Sequence, residues 1–272
     1  MSAKPVSARL TIRNIQALRD AGEPIAMLTA YDHVTAGLLD QSGIDMILVG
    51  DSLGNVVLGY ETTLPVTIED MIHHAAAVCR GASRALIVTD LPFGTASDPE
   101  TALRSAVTVL QRTGCQAVKI EGGATAAPTV ARLVEQGIPV MGHIGLTPQA
   151  VNQLGGYYRH GKSSADAEAL IAAALALQEA GAFAIVLEVL VPELAAEITR
   201  RLTIPTIGIG SGAGCSGQVL VVNDLIGLGL EPPPSFAVPK ADVASVIRQA
   251  ASAYVAELKG PQGKASKEPS IV

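Results

Sequence analysis

Aromatic residues are scarce in this chain of 272 residues, which has no tryptophan and only 3% Phe, Trp and Tyr together. Its hydrophobic fraction is nonetheless 49%, so the core has to be built from aliphatic side chains. Charged residues make up 16%, where about 25% is usual. This composition excludes intrinsic disorder over most of the length. The low charge also favours an oligomer that hides part of the surface.

Basic clusters, long apolar runs and disulfide patterns are also missing. The chain has 19 basic and 25 acidic residues without a basic block, which argues against nucleic-acid and anionic-membrane partners. No signal peptide precedes residue 13, and apolar stretches end well short of the ~18 residues of a membrane span. The widely spaced Cys79, Cys115 and Cys215 are typical of buried thiols in a reducing compartment. We therefore expect a soluble cytoplasmic protein.

Apolar runs of strand length recur along the chain and alternate with helical patterns. Because the runs are continuous rather than alternating, they predict strands of a parallel sheet buried on both faces. They are residues 26–31, 46–50, 86–90, 117–121, 140–144, 183–188 and 205–210. Helix starts are predicted from capping patterns at Thr11, Thr67 (with Asp70), Asp98, Thr147 and either Ser163 or Ser164.

This alternation predicts a single (β/α)8 barrel with an N-terminal helix over residues 1–258, and a doubly wound open sheet is the alternative. Residues 219–222 are the candidate eighth strand, although they follow the seventh run closely and could instead begin a helix. Residues 259–272, rich in Gly, Pro, Lys and Ser, predict a flexible, disordered tail.

Four acidic residues end or directly follow the predicted strand runs: Asp51, Asp90, Glu121 and Glu188. In a parallel barrel these positions lie at the carboxyl ends of the strands, where barrel enzymes build their active sites. Four carboxylates at one mouth repel each other unless a cation or a proton compensates. The arrangement therefore predicts a metal site or an acid–base site.

Asp51, Asp90 and Glu121 offer the oxygen ligands that suit a hard ion such as Mg²⁺. Zinc is excluded because the chain has no Cys-x-x-Cys or His-x-x-x-His pair. Lys119 projects to the same face as Glu121 and can neutralise a substrate carboxylate, or form an ion pair within the barrel. Ser52 can offer its hydroxyl to the same ligand.

Glu188 is separate from these three acids and follows an apolar run. An apolar neighbourhood would make it a usable general base near neutral pH, and a carboxylate held by backbone groups is the alternative. His143 ends the fifth run at the same mouth and is either functional or structural. The motif at 212–217 matches G-x-G-x-x-G, but too little chain follows for a dinucleotide-binding unit, so we expect it to let backbone approach a ligand.

Segments spread along the chain closely resemble the ketopantoate hydroxymethyltransferase family. The resemblance runs unbroken from about residue 8 to 230. Its segments are 27–32 (MLTAYD), 48–54 (LVGDSLG), 63–67 (TLPVT), 89–93 (TDLPF), 118–122 (VKIEG), 142–149 (GHIGLTPQ), 187–188 (LE), 208–210 (GIG) and 217–220 (GQVL).

The resemblance implies a (β/α)8 barrel that performs a Mg²⁺-dependent step of pantothenate and coenzyme A synthesis. The implied substrates are 3-methyl-2-oxobutanoate and 5,10-methylenetetrahydrofolate, and the implied assembly is a homodecamer. Asp51, Asp90 and Glu121 would form the metal site, with Asp51, Asp90 and His143 also at the substrate. Ser52 and Lys119 would contact the oxo acid. Glu188 would remove the C3 proton.

The chain departs from the family at three places. Ser216 stands where the family has Asp, Asn223-Asp224 where it has His-Asp, and 234–239 (PSFAVP) lacks the family's basic residue. These changes raise doubt about loops on the folate side. Two alternatives remain. One is a Mg²⁺-dependent, enolate-forming lyase or mutase barrel, which resembles this chain in architecture. The other, based on the changes at Ser216 and Asn223, is a catalytically weak homologue with a binding or assembly role.

Overall fold

The computed structural model describes residues 9–259, which contain a closed barrel of eight parallel strands. The strands pair in chain order, and β8 closes the barrel on β1. The predicted barrel is confirmed and the open sheet is wrong. The strands are Ile25–Thr29 (β1), Met46–Val49 (β2), Leu86–Asp90 (β3), Ala117–Glu121 (β4), Val140–Gly145 (β5), Ala184–Glu188 (β6), Thr206–Ile209 (β7) and Gly217–Leu220 (β8).

Helices alternate with the strands through most of the chain. They are Ile12–Ala21 (α1), His33–Gln41 (α2), Leu53–Val56 (α3), Ile68–Gly81 (α4), Pro99–Thr113 (α5), Ala127–Glu135 (α6), Val151–Leu154 (α7), Ser164–Glu179 (α8), Pro192–Arg201 (α9), Val222–Ile226 (α10) and Val243–Lys259 (α11). Thr67, Asp98 and Ser163 cap α4, α5 and α8 as predicted. A helical segment begins after Thr147 as predicted, because the 3₁₀ turn Pro148–Ala150 leads directly into α7, but the Thr147 side chain makes no capping bond.

Side-chain alternation carries the site residues into the barrel mouth. The core cluster contains Leu86 and Val88 from β3, Ala117 from β4, Met141 from β5, and Ala184 and Val186 from β6. Because side chains two residues apart share a face, the next positions of the same parity point to the same interior. Those positions are Asp90, Lys119, Glu121, His143 and Glu188.

The β7–β8 connection contains no helix and packs on α9. A Cβ at Gly212 would lie 2.8 Å from Cβ of Pro192, and one at Gly214 would lie 2.7 Å from Cβ of Ala196. These glycines therefore allow contact with a helix, which is a different role from the ligand approach that we expected. β8 begins at Gly217, and α10 begins at Val222.

Asp40 of α2 fixes the loop that leads into β3. Its carboxylate accepts hydrogen bonds from the backbone N–H groups of Ser83 (2.8 Å), Arg84 (3.1 Å) and Ala85 (2.7 Å). Although partial burial opposes the charge, these donors hold the pKa of Asp40 below its ordinary value. The contact ties helix, loop and strand together.

Two compact units share the chain, one ending at Val221 and the other beginning at Val222. The assignment of residues 1–258 to one domain stays a prediction. Of the predicted tail, Lys259 ends α11 and the remainder lies outside the described residues. Within residues 9–259, no helix is both long enough and apolar enough to cross a membrane.

Candidate active site

The structure brings every site residue predicted from the sequence to one end of the barrel. Asp51 and Ser52 form the turn after β2, and the others lie at or near the carboxyl ends of four further strands. These others are Asp90, Lys119, Glu121, His143 and Glu188. Asp51, Asp90, Lys119 and His143 are all buried, so the charges interact in a dry environment.

Asp51 and Asp90 are direct neighbours. The backbone N–H of Asp51 donates to Oδ2 of Asp90 at 3.1 Å. Gly50 makes room for this pair, since a Cβ there would lie 2.8 Å from Oγ of Ser52 and 3.5 Å from Oδ2 of Asp90. The hydroxyl of Ser52 is itself 2.9 Å from that of Tyr31. The turn after β2 thus joins two carboxylates and a hydroxyl.

Lys119 lies among the acids. Its Nζ is 3.2 Å from Oδ1 of Asp90, 3.9 Å from Oε1 of Glu121 and 3.1 Å from Nδ1 of His143. Burial disfavours the charge of Lys119, but Asp90, Glu121 and Asp51 outweigh it and raise the pKa of Lys119. A charged lysine can only donate, so Nδ1 of His143 is the acceptor and its proton resides on Nε2.

One lysine does not balance three buried carboxylates. Burial raises the pKa of Asp90 to about 7, against the opposing charge of Lys119 and with a further rise from Asp51. Burial likewise raises the pKa of Asp51 and of Glu121. The negative charge that remains has to be met by protons or by a cation.

Asp51 and Asp90 fit a hard cation. Both offer carboxylate oxygens, and Oδ1 of Asp90 is buried without an aligned hydrogen bond. Glu121 is more occupied, with Oε1 3.5 Å from Nδ1 of His143 and Oε2 accepting from the backbone of Gln149 at 3.0 Å. Within residues 9–259, no three Asp, Glu, His or Cys side chains converge as a ready metal site. Glu121 as a third ligand stays a prediction.

Glu188 faces His143 across the mouth. Nε2 of His143 lies 3.1 Å from Oε2 of Glu188, whose side chain is 17% exposed. Burial, reinforced by the charge of Lys119, lowers the pKa of His143, so the imidazole is neutral and turns its N–H edge towards Glu188. The two atoms do not form an aligned hydrogen bond, and a partly exposed carboxylate in this position can accept a proton from a bound molecule.

The backbone after Glu188 is strained and firmly held. Val189 has φ +52°, a left-handed conformation that costs a β-branched residue about 1–3 kcal/mol. The buried hydroxyl of Ser211 brackets this segment, because it donates to the carbonyl of Leu187 (2.8 Å) and accepts from the N–H of Leu190 (2.9 Å). This clamp fixes the end of β6, where Glu188 lies.

Sequence reasoning missed two residues at the site, Tyr31 and Gln149. Tyr31 follows β1 and meets Ser52, and Gln149 contacts Asp51 and Glu121. Both lie in segments that carry the family resemblance, and that was the available signal. Tyr31 and Gln149 are uncharged and lie outside the strands, so no local sequence pattern marks them as site residues.

Ser216 does not lie at the mouth. Its N–H donates to Oγ1 of Thr206, the first residue of β7, at 3.2 Å, and its carbonyl accepts from Ile25, the first residue of β1. This is the amino end of the barrel, so the doubt about a site loop does not extend to this departure. In the second unit, the side chain of Asn223 donates to the carbonyl of Leu228 at 3.1 Å.

Solved structures of several enzymes share this fold. The phosphoenolpyruvate phosphomutase of Streptomyces platensis subsp. rosaceus has a TM-score of 0.63 at 15% identity, covering 96% of this chain and 92% of its own. A phosphonopyruvate hydrolase in complex with oxalate and Mg²⁺ has a TM-score of 0.59 at 12% identity. The match covers 92% of this chain and 98% of the hydrolase. A 2,3-dimethylmalate lyase, described as a member of the PEP mutase/isocitrate lyase superfamily, has a TM-score of 0.59 at 14% identity. The match covers 95% of this chain and 88% of the lyase.

Sequence comparison is more specific. A model of the family described as ketopantoate hydroxymethyltransferase matches residues 9–262. The 3-methyl-2-oxobutanoate hydroxymethyltransferase of Chloroflexus aurantiacus is 56% identical over 267 residues, covering 96% of this chain and 95% of that protein. The enzyme of the same name from Gluconacetobacter diazotrophicus is 55% identical over 251 residues, which cover 92% of this chain and 91% of that enzyme. With matches of this extent, the chain belongs to the ketopantoate hydroxymethyltransferase family of transferase enzymes.

Proposed function

We propose that this chain transfers a hydroxymethyl group from 5,10-methylenetetrahydrofolate to 3-methyl-2-oxobutanoate, forming 2-dehydropantoate. The observation that carries the proposal is the division of the acids into a buried pair, Asp51 and Asp90, and a separate carboxylate, Glu188, beside neutral His143. Such a division suits enolate chemistry, in which one group takes a carbon-bound proton while charge is stabilised elsewhere.

Asp51 and Asp90 would hold Mg²⁺, with Glu121 as the third acid of the site. When bound there, the ion supplies Lewis-acid stabilisation of the negative charge that develops on the oxo acid. A phosphonopyruvate hydrolase that shares this fold has been solved as a complex with oxalate and Mg²⁺.

The protein's own groups bind the oxo acid and move its proton. Lys119 and Ser52 contact the oxo acid, with His143 beside it. Glu188 accepts the proton from C3, leaving the enolate. The enolate carbon then bonds to the methylene carbon of the folate as one of its two C–N bonds breaks. Water replaces the second C–N bond and supplies the hydroxyl oxygen. The proton taken up by Glu188 and the proton lost by water end on the two folate nitrogens, so that tetrahydrofolate leaves. The clamp on the backbone after Glu188 keeps the base at a fixed place during this transfer.

We also propose a cytoplasmic homodecamer. The low charged fraction and the exposed Val34 and Leu38 on α2, at 66% and 60%, support a surface that is covered by other subunits.

The base is tested by solvent deuterium exchange at C3 of 3-methyl-2-oxobutanoate, followed by NMR with Mg²⁺ and without folate. Glu188→Gln keeps shape but cannot accept a proton, so exchange should fall by ~10²–10⁴-fold. Glu193→Gln, an exposed glutamate on α9, is the matched control and should exchange like the parent. Parental exchange by Glu188→Gln would show that Glu188 is not the base.

A further inference from the structure

Gln149 lies in the 3₁₀ turn after β5 and hydrogen bonds to residues at or just after the ends of β2, β3 and β4. Its backbone N–H donates to Oε2 of Glu121 at 3.0 Å, and its side-chain Nε2 donates to Oδ2 of Asp51 at 2.8 Å. The same Nε2 donates to the carbonyl of Leu91, directly after Asp90, at 3.0 Å. One residue thus contacts all three segments that carry the acids.

The orientation of this amide follows from its partners. The Asp51 carboxylate and the Leu91 carbonyl are both acceptors, so both hydrogens of the Gln149 NH₂ group are used. In the flipped orientation, the amide oxygen would face the carboxylate and both bonds would be lost. The side chain is therefore fixed as a two-pronged donor.

A neutral donor suits this position electrostatically. Asp51, Asp90 and Glu121 are mutually repulsive buried acids, and Lys119 already supplies the positive charge available from the protein. Hydrogen bonds from Gln149 hold two of these acids without cancelling the negative charge that a cation needs.

The segment from Gly145 to Gln149 also connects the two halves of the site. At its start, the N–H of Leu146 donates to the carbonyl of Glu188 at 2.9 Å. Gly145 has φ +95°, and a Cβ there would collide with that same carbonyl and with Leu190. At its end, Gln149 holds Asp51. Five residues thus span from the candidate base to the candidate cation ligands.

We propose that the side chain of Gln149 is a positioning group that orients Asp51 towards a divalent cation. The proposal rests on the proposed function for the presence of that cation, and it adds a residue to which no role has been assigned. Hydrogen-bond partners of metal-ligating groups typically change metal affinity by about 10–100-fold when they are removed.

The test is Mg²⁺ binding to the full chain by isothermal titration calorimetry, without substrates. Gln149→Met keeps the length of the side chain but removes both donors, so the dissociation constant should rise by about 10–100-fold. Gln153→Met makes the same change at an exposed position on α7 and should bind Mg²⁺ like the parent. Thermal unfolding in chelator should be similar for all three proteins.

Two outcomes overturn the proposal in distinguishable ways. If the parent binds Mg²⁺ and Gln149→Met binds it equally well, Gln149 has no positioning role and the proposed function stands. If the parent binds no Mg²⁺, the cation in the proposed function and the role of Gln149 are both wrong. If Gln149→Met does not fold, Gln149→Asn takes its place, because the amide of asparagine is one methylene too short to reach Asp51. Parental Mg²⁺ affinity in Gln149→Asn would likewise contradict the positioning role.

Discussion

Asp90 determines how the site responds to pH. Its pKa is about 7 in the folded chain and 3.8 when exposed, with burial as the main cause. Between these values the folded state binds more protons than the unfolded state. Without a divalent ion, the contribution of Asp90 to stability is therefore greatest at low pH and declines as the pH rises towards about 7.

We expect this contribution to appear in calorimetric unfolding of the parent and Asp90→Asn in chelator. The unfolding midpoint of the parent, taken relative to the variant, should fall between about pH 4 and about pH 7. Added Mg²⁺ should raise the parent's midpoint most above about pH 7, where the carboxylate is ionised. A relative midpoint that rises over the acidic range would contradict this account of Asp90.

The four acids could be predicted as site residues from the sequence because each stands at or directly after the end of a run of apolar residues. Tyr31 and Gln149 could not, because their importance comes from partners that are distant in the chain. Ser52 lies 21 residues from Tyr31 and Asp51 lies 98 residues from Gln149. Neutral polar side chains in loops carry no local pattern that indicates such contacts.

At the scale of elements, the Asp40 carboxylate links α2 to the loop before β3. Asp40→Ala leaves the N–H groups of Ser83, Arg84 and Ala85 without this acceptor, and we expect the free energy of unfolding to fall by about 2 kcal/mol. Urea denaturation measures the change. Asp20→Ala, at an exposed aspartate of α1, should leave stability close to that of the parent. Equal effects of the two substitutions would show that the anchor is unimportant.

Element boundaries were predictable where the local pattern and the global fold agree. The predicted runs 86–90 and 117–121 coincide with β3 and β4, whose apolar residues are buried on both faces. The cap at Thr147 failed because a carboxylate from another strand, Glu121, takes the free N–H of Gln149 instead. We expected the glycines at 212 and 214 to lie close to a ligand, whereas the structure places them against a helix. The sequence does not distinguish these two kinds of close approach.

At the scale of the whole molecule, the proposed decamer predicts a mass about ten times that of the 27.8 kDa chain. Apolar side chains such as Val34 and Leu38 are exposed on the single chain, and association would remove such surface from water. Light scattering after size exclusion, at micromolar concentration, measures the mass. A stable species of 27.8 kDa would contradict the proposed assembly.

The left-handed backbone at Val189 has a consequence for how this protein evolves. Glycine or asparagine would relieve the strain there, so selection for heat resistance alone favours replacing the valine. That position is adjacent to the candidate base, and a freer backbone would loosen the carboxylate that has to meet a carbon-bound proton. Substitutions of Val189 would then raise thermal stability and lower the rate of turnover.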